Sequence, residues 1–272
     1  MMHRVTLPGN RTVNVSQRGS GPAVVLLHGF PDSLELWNAT GDRLVAAGRT
    51  VVAFDQYGFG DSDAPPGRRH YRIDALVDDV ANVVRMLDLP TPVDLMGHDW
   101  GAVIGWCVCL RYPELVRRHV AISVGHPRAY RSGGWEQKRK GLYTIGFQFA
   151  GIAERRLLRR NGSGLRRWAR THPDADAMVA AMARPGRLTA GLNWYRANIF
   201  TVFTRRWADC RVPTLGVCSD GDHLLAEDQM RRSANYMAAP WQYLQIPGAG
   251  HWIPTERPAE LARSALDWFD AV

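Results

Sequence analysis

The stretch from residue 93 to residue 102 constrains the fold more than any other part of the sequence. It reads VDLMGHDWGA: an apolar run ends at Gly97, and a segment with a helical pattern begins after Gly101. A turn that joins a strand directly to a helix leaves no room for side chains on either side of its central residue, and only glycine lacks a Cβ. The two glycines therefore predict a strand, a sharp turn and a helix, with Asp99 at the tip of the turn.

The carboxylate at this tip indicates a particular chemistry. A serine that attacked a saturated carbon would be left as an ether, whereas a carboxylate forms an alkyl ester that activated water can hydrolyse. An attacking Asp99 would thus act on a saturated carbon that bears a leaving group, as in an epoxide or an alkyl halide. The alternative is that Asp99 only caps the helix that follows, which is a frequent role for aspartate.

Short apolar runs alternate with helical patterns in both halves of the chain. This alternation predicts a parallel sheet covered by helices, with ligands bound at the carboxyl ends of the strands. Besides the strand before Gly97, we expect buried strands at residues 23–27 and 50–54 and further strands at 119–124, 214–218 and 241–246. Residues 11–15 alternate polar and apolar side chains, which favours an exposed edge strand.

Residues 127–211 interrupt this alternation, because they are prone to form helices and contain no convincing strand. Residues 154–211 hold thirteen arginines and four acids, a net charge of +9, while the whole chain carries +8. We therefore expect a helical cap at 127–211 over an α/β core formed by 1–126 and 212–272. We interpret the charge as a solvated basic face, since no nucleic-acid-binding module accompanies it.

The composition is that of a globular protein: 272 residues, 46% hydrophobic and 22% charged. No apolar run reaches the length of a membrane span, and the first residues lack the apolar centre of a signal peptide, so we expect a cytoplasmic protein. Neither a metal nor an organic cofactor is implied. A monomer and a homodimer both remain open. The cysteines show no metal-binding spacing and are expected to be buried free thiols; they are Cys107, Cys109, Cys210 and Cys218.

Hydrolysis of an ester on Asp99 would require a base that is neutral near pH 7, and histidine meets this need. His251 lies in a glycine-rich loop after the last expected strand. An acid is also needed to orient the imidazole, and two candidates follow the strand at 214–218. We prefer Asp222, which precedes an apolar segment, and keep Asp220 as the second choice.

The reaction would also require main-chain donors for the ester oxygen. The expected donors are the backbone N–H of Trp100, next to the nucleophile, and that of Phe30 in the loop after the first buried strand. The cap is rich in aromatic residues, which indicates a bulky or aromatic pocket. We expect the substrate to contact Phe30, Trp100, Phe147 and Trp194.

Four short motifs resemble those of the epoxide hydrolases in the α/β-hydrolase superfamily, with haloalkane dehalogenases as near relatives. They are HGFP (28–31), GFGDS (58–62), GHDWG (97–101) and GAGHW (248–252). The resemblance extends over nearly the whole chain and implies the α/β-hydrolase fold with an aspartate nucleophile. The order Asp99, Asp222, His251 along the chain also matches this superfamily.

The resemblance further implies two cap tyrosines that protonate the epoxide oxygen. The segment LNWYR (192–196) is similar to one that carries such a residue, so Tyr195 is our acid candidate. In the other segment the family's tyrosine would fall on Gly146. Tyr143 lies three residues earlier, about one helical turn, and is our candidate to replace it.

We therefore expect an enzyme that opens a hydrophobic epoxide to a vicinal diol through an ester on Asp99. Dehalogenation of an alkyl halide is the first alternative. It is disfavoured by Phe30, which stands where haloalkane dehalogenases usually carry asparagine, and fluoroacetate dehalogenases carry arginine where Trp100 stands. The second alternative is a non-catalytic receptor for a small ligand on the same fold.

Overall fold

The computed structural model describes residues 2–271. In this part of the chain one sheet contains eight strands: β1 (Met2–Leu7), β2 (Arg11–Arg18), β3 (Ala23–Leu27), β4 (Thr50–Phe54), β5 (Val93–His98), β6 (Val116–Ile122), β7 (Thr214–Ser219) and β8 (Trp241–Ile246). The spatial order is β1-β2-β4-β3-β5-β6-β7-β8. The pairs β1–β2 and β2–β4 are antiparallel, and all other neighbours are parallel. The strands predicted from residue 23 onward are thereby confirmed, but β6 begins and ends earlier than the predicted segment 119–124.

The edge of the sheet differs from the prediction. β2 extends the alternating segment at residues 11–15, but it lies between β1 and β4, with antiparallel neighbours on both sides. The edge strand is β1, in which only two of the six side chains are buried. The alternation of polar and apolar side chains does not show whether another strand pairs with β2 on its far side. In the structure Val13, Asn14 and Val15 are buried in succession, so both faces of β2 are covered there.

Twelve α-helices pack around the sheet within residues 2–271: α1 (Asn38–Ala46), α2 (Ile73–Met86), α3 (Trp100–Arg111), α4 (Pro127–Arg131), α5 (Trp135–Lys140), α6 (Tyr143–Phe147), α7 (Ile152–Trp168), α8 (Ala175–Ala183), α9 (Arg187–Thr204), α10 (Glu227–Arg231), α11 (Ile253–Glu256) and α12 (Pro258–Asp270). Helix α7 is interrupted by non-helical backbone at 159–162. Short 3-10 helices lie at Leu34–Trp37, Arg68–Tyr71, Pro113–Leu115 and Arg232–Tyr236.

The core forms where apolar strands meet the apolar faces of helices. All five residues of β3 and all six of β5 are buried, as expected for strands covered on both faces. Helix α3 is apolar almost throughout and packs against β3, β5 and β6. This packing fixes the start of α3, and with it Asp99, relative to the centre of the sheet.

The turn between β5 and α3 has the geometry that its glycines predicted. Asp99 has φ +54° and ψ −121°, a strained conformation for a residue with a side chain. A Cβ on Gly97 would lie 2.3 Å from the carbonyl oxygen of Gly101, and one on Gly101 would lie 2.0 Å from that of Leu27. Both approaches are to main-chain atoms that cannot move aside, so neither position accepts a side chain.

Helices α4 to α9 lie between β6 and β7 and form a helical cap insertion in an α/β-hydrolase fold. Helix α9 packs against α2, α4, α6 and α8 and thereby joins the cap to the core. The indole N–H of Trp194 on this helix donates to the carbonyl of Tyr57 in the core at 3.0 Å. Among the described residues, none of the helices combines the length and the apolar character needed to cross a bilayer.

Candidate active site

Asp99 is buried at the tip of the turn between β5 and α3, with one carboxylate oxygen fixed by the main chain. The backbone N–H of Phe30 donates to its Oδ1 at 2.9 Å. The loop after β3 comes this close because Gly29 has no side chain: a Cβ there would lie 2.4 Å from Oδ1. The loop after β3 therefore orients the carboxylate of Asp99, which follows the neighbouring strand β5.

The environment of Asp99 moves its pKa upward, from 3.8 to about 6. Burial is the main cause, because it disfavours the charged carboxylate. The charge of His251 and the backbone N–H groups of Trp100 and Phe30 act in the opposite direction. Asp99 is thus ionised at neutral pH, yet it is poorly solvated, as suits a nucleophile.

His251 contacts Asp222 through Nδ1, one of its two ring nitrogens. Nδ1 of His251 lies 2.8 Å from Oδ2 of Asp222, and both side chains are buried. The other oxygen of Asp222 accepts the backbone N–H groups of Leu224 at 2.8 Å and Leu225 at 3.0 Å. Burial alone would raise the pKa of Asp222, but the charge of His251 and these hydrogen bonds outweigh burial and lower it to about 2.

The other ring nitrogen of His251, Nε2, faces Asp99. Nε2 lies 3.8 Å from Oδ2 of Asp99 and makes no hydrogen bond within residues 2–271. Burial lowers the pKa of His251, but the charge of Asp222, the hydrogen bond to it and the charge of Asp99 together raise it to about 9. The second acid candidate, Asp220, is exposed and instead accepts the backbone N–H of Gly248 at 2.8 Å.

A cavity of about 330 Å³ lies above Asp99, between the core and the cap. Its lining is mostly apolar, and the polar side chains in it include three tyrosines. The core contributes Asp99, Trp100, Val103, Val124, Gly125 and Leu225 to the lining. The cap contributes Pro127, Tyr130, Arg131, Gln137, Lys138, Gly141, Leu142, Tyr143, Thr144, Ile145, Tyr195, Ile199 and Val202.

Tyr195 on α9 and Tyr143 on α6 both reach this cavity. The ring of Tyr195 stands edge-on to that of Trp100, with 5.1 Å between the centroids. Its hydroxyl is buried close to Tyr143 and Trp100, but no described residue meets the geometry of a regular hydrogen bond with it. Burial raises the pKa of both tyrosines well above 10, and each tyrosine affects the pKa of the other.

Gly146, where the resemblance places a second tyrosine, lies on α6 but is not among the residues that line the cavity. It is exposed, and a Cβ at this position would meet no atom within 4 Å. Tyr143, one helical turn earlier, reaches the cavity instead. Burial is the main cause of its raised pKa, and the charge of Asp99 acts in the same direction.

Three of the residues that we expected to contact substrate do not line the cavity. The rings of Phe30 and Phe147 pack against each other and against Trp168, behind Tyr195. Trp194 is fully buried, and its ring packs on Trp100. Aromatic content alone did not distinguish the cavity lining from this supporting layer. Of the four, only Trp100 lines the cavity.

Sequence reasoning missed Tyr130, which lies on α4 and lines the cavity. Burial raises its pKa to about 12, and the charge of Asp99 acts in the same direction. The available signal was position: Tyr130 follows the His126-Pro127 pair just after β6, at the same edge of the sheet as Asp99.

It also missed two side chains of α5 that hold the loop of Asp222. Lys140 donates from Nζ to the carbonyl oxygens of Asp222 at 2.7 Å and Leu225 at 3.0 Å. Gln137 accepts the backbone N–H of Ala226 at 2.9 Å through Oε1. The cap thereby holds the loop that carries the partner of His251.

Two polar side chains, His98 and Asp32, lie near His251, and a third, His172, contacts Asp32. The rings of His98 and His251 lie 4.6 Å apart, and Nε2 of His98 donates to the carbonyl of His251 at 2.9 Å. Asp32 accepts the indole N–H of Trp252 at 3.1 Å and lies 3.0 Å from Nε2 of His172 in the cap. Within residues 2–271, no cluster of three or more His, Cys, Asp or Glu side chains has the arrangement of a metal site.

Comparison with known proteins places this geometry in a family. A family model described as the alpha/beta hydrolase fold matches residues 22–258. Epoxide hydrolase 3 of Xenopus tropicalis is 30% identical over 263 residues, which cover 91% of this chain and 71% of that protein. Epoxide hydrolase A of Mycobacterium tuberculosis is 30% identical over 309 residues, with coverage of 95% and 93%.

A solved structure agrees with this assignment. The crystal structure of Epoxide Hydrolase A from Mycobacterium thermoresistibile has a TM-score of 0.83 and 26% identity, and the match covers 98% of this chain and 97% of that one. The similarity thus includes the core and the cap. The chain belongs to the α/β-hydrolase-fold family, and its relatives there include epoxide hydrolases.

Proposed function

We propose that the protein opens an epoxide to a vicinal diol, with Asp99 as the nucleophile and with His251 and Asp222 as the pair that activates water. One observation carries the proposal: a buried carboxylate at a strand-to-helix turn has one oxygen fixed by Phe30 N–H and the other facing His251. The epoxide hydrolases among the relatives support the reaction class.

In the first step Oδ2 of Asp99 attacks a ring carbon of the epoxide. This oxygen is available, whereas Oδ1 is held by Phe30 N–H and becomes the carbonyl oxygen of the ester. The bond between that carbon and the ring oxygen breaks, and the electron pair moves to the oxygen. The product is an alkyl ester of Asp99 with an adjacent oxyanion that needs a proton.

Tyr195, together with Tyr143, supplies this proton. Both hydroxyls reach the cavity that Asp99 lines, and both are held protonated by burial. A hydroxyl with a high pKa is a weak acid in the ground state, but it can hydrogen-bond the ring oxygen and transfer its proton as alkoxide character develops. Tyr143 then takes the part that Gly146 cannot fill.

Formation of the ester also prepares the base for the second step. While Asp99 is ionised, its charge helps to keep His251 protonated at neutral pH. Esterification removes that charge, so the pKa of His251 falls and the imidazole releases its proton. Transferred through water, this proton restores the tyrosine hydroxyl. His251 is thus neutral when a base is required.

In the second step Nε2 of His251 takes a proton from water, and the resulting hydroxide attacks the ester carbonyl. Nε2 is buried and lacks a hydrogen-bond partner among residues 2–271, which leaves it available to that water. The backbone N–H groups of Phe30 and Trp100 stabilise the oxyanion on Oδ1. Its collapse breaks the bond between the carbonyl carbon and the alkoxy oxygen, and this oxygen takes the proton of the added hydroxyl. The diol is thereby released, with Asp99 ionised and His251 protonated.

We further propose that 127–211 acts as a cap domain on a core formed by 1–126 and 212–272. The cavity supports this division, because the core supplies Asp99 and Trp100 while the cap supplies the tyrosines. Dehalogenation remains the alternative reaction on the same nucleophile. A halide leaves without a proton, so dehalogenation would not need the tyrosine hydroxyls near Asp99 as acids.

The test is an assay of diol formation from a styrene-oxide-type substrate beside halide release from a 1-bromoalkane. We expect diol and no bromide above background, and we expect Asp99→Asn to abolish the activity. Asparagine is the matched change, because it keeps the shape of the side chain and tolerates positive φ. Bromide without diol would transfer the assignment to dehalogenation, and saturable binding without turnover would indicate a receptor.

A further inference from the structure

Four apolar side chains of the cap follow one another at helical spacing and face solvent. They are Leu142, Ile145, Phe149 and Ile152, three or four residues apart, and their exposed fractions lie between 56% and 59%. We call these four residues the apolar stripe. They span the junction of two helices: Leu142 precedes α6, Ile145 lies in it, Phe149 lies in the turn that follows, and Ile152 begins α7. All four side chains face solvent, although apolar side chains of helical segments normally face a core.

Other side chains of α6 and α7 already supply the packing to the protein interior. Phe147, Ala153 and Leu157 are buried, and Tyr143 packs against the core cluster. The apolar stripe is therefore not needed for packing inside the cap.

The distribution of exposed apolar side chains is uneven. Eight large hydrophobic residues are more than half exposed within the part of the chain described here, and six of them lie between residues 135 and 200. Trp135, which is 78% exposed, lies on α5 shortly before the apolar stripe. Isolated exposed apolar residues are normal, whereas a cluster marks an interaction surface.

The surroundings of the apolar stripe are strongly basic. Residues 128–170 contain twelve Lys and Arg and only two acids. Both acids are engaged: Glu136 pairs with Lys140 at 2.9 Å and Glu154 with Arg196 at 2.8 Å. Exposed cations stand before and after the apolar stripe in the chain, at Lys138, Arg139, Arg155 and Arg156.

We propose that the apolar stripe and its basic surroundings dock on the surface of an anionic lipid bilayer. A short apolar surface with a cationic border lies in the interface of such a membrane, with its apolar side chains among the acyl chains and its cations at the headgroups. The protein would lie on the bilayer without crossing it.

Two other occupants fit less well. A second copy of this chain would bring two faces of high positive charge together, which costs free energy unless anions intervene. A nucleic acid would match the charge. However, Phe149 is the one aromatic residue of the apolar stripe, and the other three side chains are aliphatic and cannot stack on bases. A lipid surface matches both the charge and the apolar side chains.

The cavity opens on this same face. Leu142 and Ile145 both belong to its lining and are more than half exposed, so they lie at its mouth. An apolar ligand dissolved in the bilayer would then reach Asp99 without crossing bulk water. This consequence rests on the docking and is not required by the chemistry at Asp99.

The experiment is flotation of the full chain with vesicles of phosphatidylcholine alone or with about one third phosphatidylglycerol. We expect binding to the anionic vesicles only, weakened by salt because the headgroup contacts are screened. The variant Phe149→Ser with Ile152→Ser should lose at least tenfold in binding. Neither residue lines the cavity, so turnover of a dissolved substrate should not change.

The charge variant is Arg139→Gln with Arg156→Gln, for which we expect about a fivefold loss per arginine. Phe200→Ser is the matched control, since this residue is 79% exposed on α9 and lies outside the apolar stripe. The emission of an environment-sensitive fluorophore attached to Phe149→Cys should shift to the blue on anionic vesicles. The emission of one attached to Phe200→Cys should not. The described native thiols are buried and should not react.

Three outcomes would overturn the proposal. The first is absence of binding, or equal binding to both kinds of vesicle. The second is wild-type binding by Phe149→Ser with Ile152→Ser. The third is a stable dimer in light scattering that this variant dissociates, without affinity for lipid, which would assign the apolar stripe to a second copy. Binding of single-stranded RNA but not of lipid would likewise replace the bilayer with a nucleic acid.

Discussion

Nε2 of His251 lies 3.8 Å from Oδ2 of Asp99 and makes no hydrogen bond within residues 2–271. Each charge therefore acts on the other: His251 lowers the pKa of Asp99 against the effect of burial, and Asp99 raises that of His251. The pair binds its proton as a unit, so a change in one member is felt by the other.

This coupling predicts the acidic limb of the pH–rate profile for ester formation. Asp99 must be ionised to attack, and its pKa of about 6 means that the single-turnover alkylation rate falls as pH drops below about 6. His251→Gln removes the positive charge that favours the carboxylate, so the limb should move to higher pH. The measurement is the alkylation rate between pH 4 and 9.

His223→Gln is the control for this experiment, because His223 lies in the loop of Asp222 and donates to the carbonyl of Trp168 at 2.9 Å. We expect the acidic limb of the pH–rate profile to lie at the same pH in His223→Gln as in the wild type. A wild-type limb near pH 4, the range of an ordinary aspartate, would contradict the coupling.

Asp222→Asn should separate the two chemical steps. The change removes the charge that raises the pKa of His251 and disturbs the orientation of its ring, so ester hydrolysis should slow by on the order of 10³- to 10⁴-fold. Alkylation of Asp99 needs no base and should persist. Intact-protein mass measured after mixing with an epoxide should show an adduct of the whole substrate.

The matched control is Asp220→Asn, two residues away and exposed, which should turn over like the wild type. Failure of Asp222→Asn to accumulate an adduct, with normal diol release, would remove Asp222 from the mechanism.

Tyr195→Phe should slow alkylation by an epoxide roughly 100-fold, in the range measured for general acids. Tyr143→Phe should have an effect of similar kind, and the double variant should be nearly inactive. The reason is that, among the described residues of the cavity lining, the phenolic hydroxyls are those of Tyr143, Tyr195 and Tyr130. The measurement is the single-turnover rate with a styrene-oxide-type substrate.

The set should include Tyr130→Phe, since its hydroxyl lies in the same cavity. If Tyr130 is the second proton donor, Tyr130→Phe will have a reduced alkylation rate and Tyr143→Phe will not. An unchanged rate in Tyr195→Phe would contradict the assignment of the acid.

Lys140→Met tests whether the cap positions the loop of Asp222. The variant loses two hydrogen bonds from a charged donor to the carbonyls of this loop, each worth about 1.5–3 kcal/mol in typical cases. We expect at least a tenfold slower ester hydrolysis with little change in alkylation. Arg139→Met is the neighbouring control, because Arg139 is exposed and does not contact this loop in the described structure.

Lys140→Arg should restore part of the rate, because it keeps a charged donor. A loss of equal size in both chemical steps would instead indicate a general effect on folding.

The sequence predicted those parts of the site that depend on local geometry. The turn around Asp99 could be predicted because Gly97 and Gly101 are required by contacts within a few residues and with the adjacent strand. Asp222 and His251 could be placed because each follows a strand of a parallel sheet, and all such ends meet at one edge.

Other parts depend on how the cap sits on the core, which no local pattern encodes. Trp194 and Phe147 were expected in the cavity but pack behind it, whereas Tyr130 lies in it. The contact between Lys140 and the loop of Asp222 joins residues 82 positions apart in the chain. The pairing of β1 with β2 was missed because the alternating pattern of β2 does not show whether another strand pairs with it.

The most direct test of the ester mechanism is a single turnover in water enriched in ¹⁸O, with excess protein over a styrene-oxide-type epoxide. The products are the diol and the peptide that carries Asp99, each analysed by mass. The account predicts that the diol takes its new oxygen from Asp99 and is unlabelled, while one ¹⁸O enters Asp99. Label in the diol and none in Asp99 would show direct attack by water and would contradict the account.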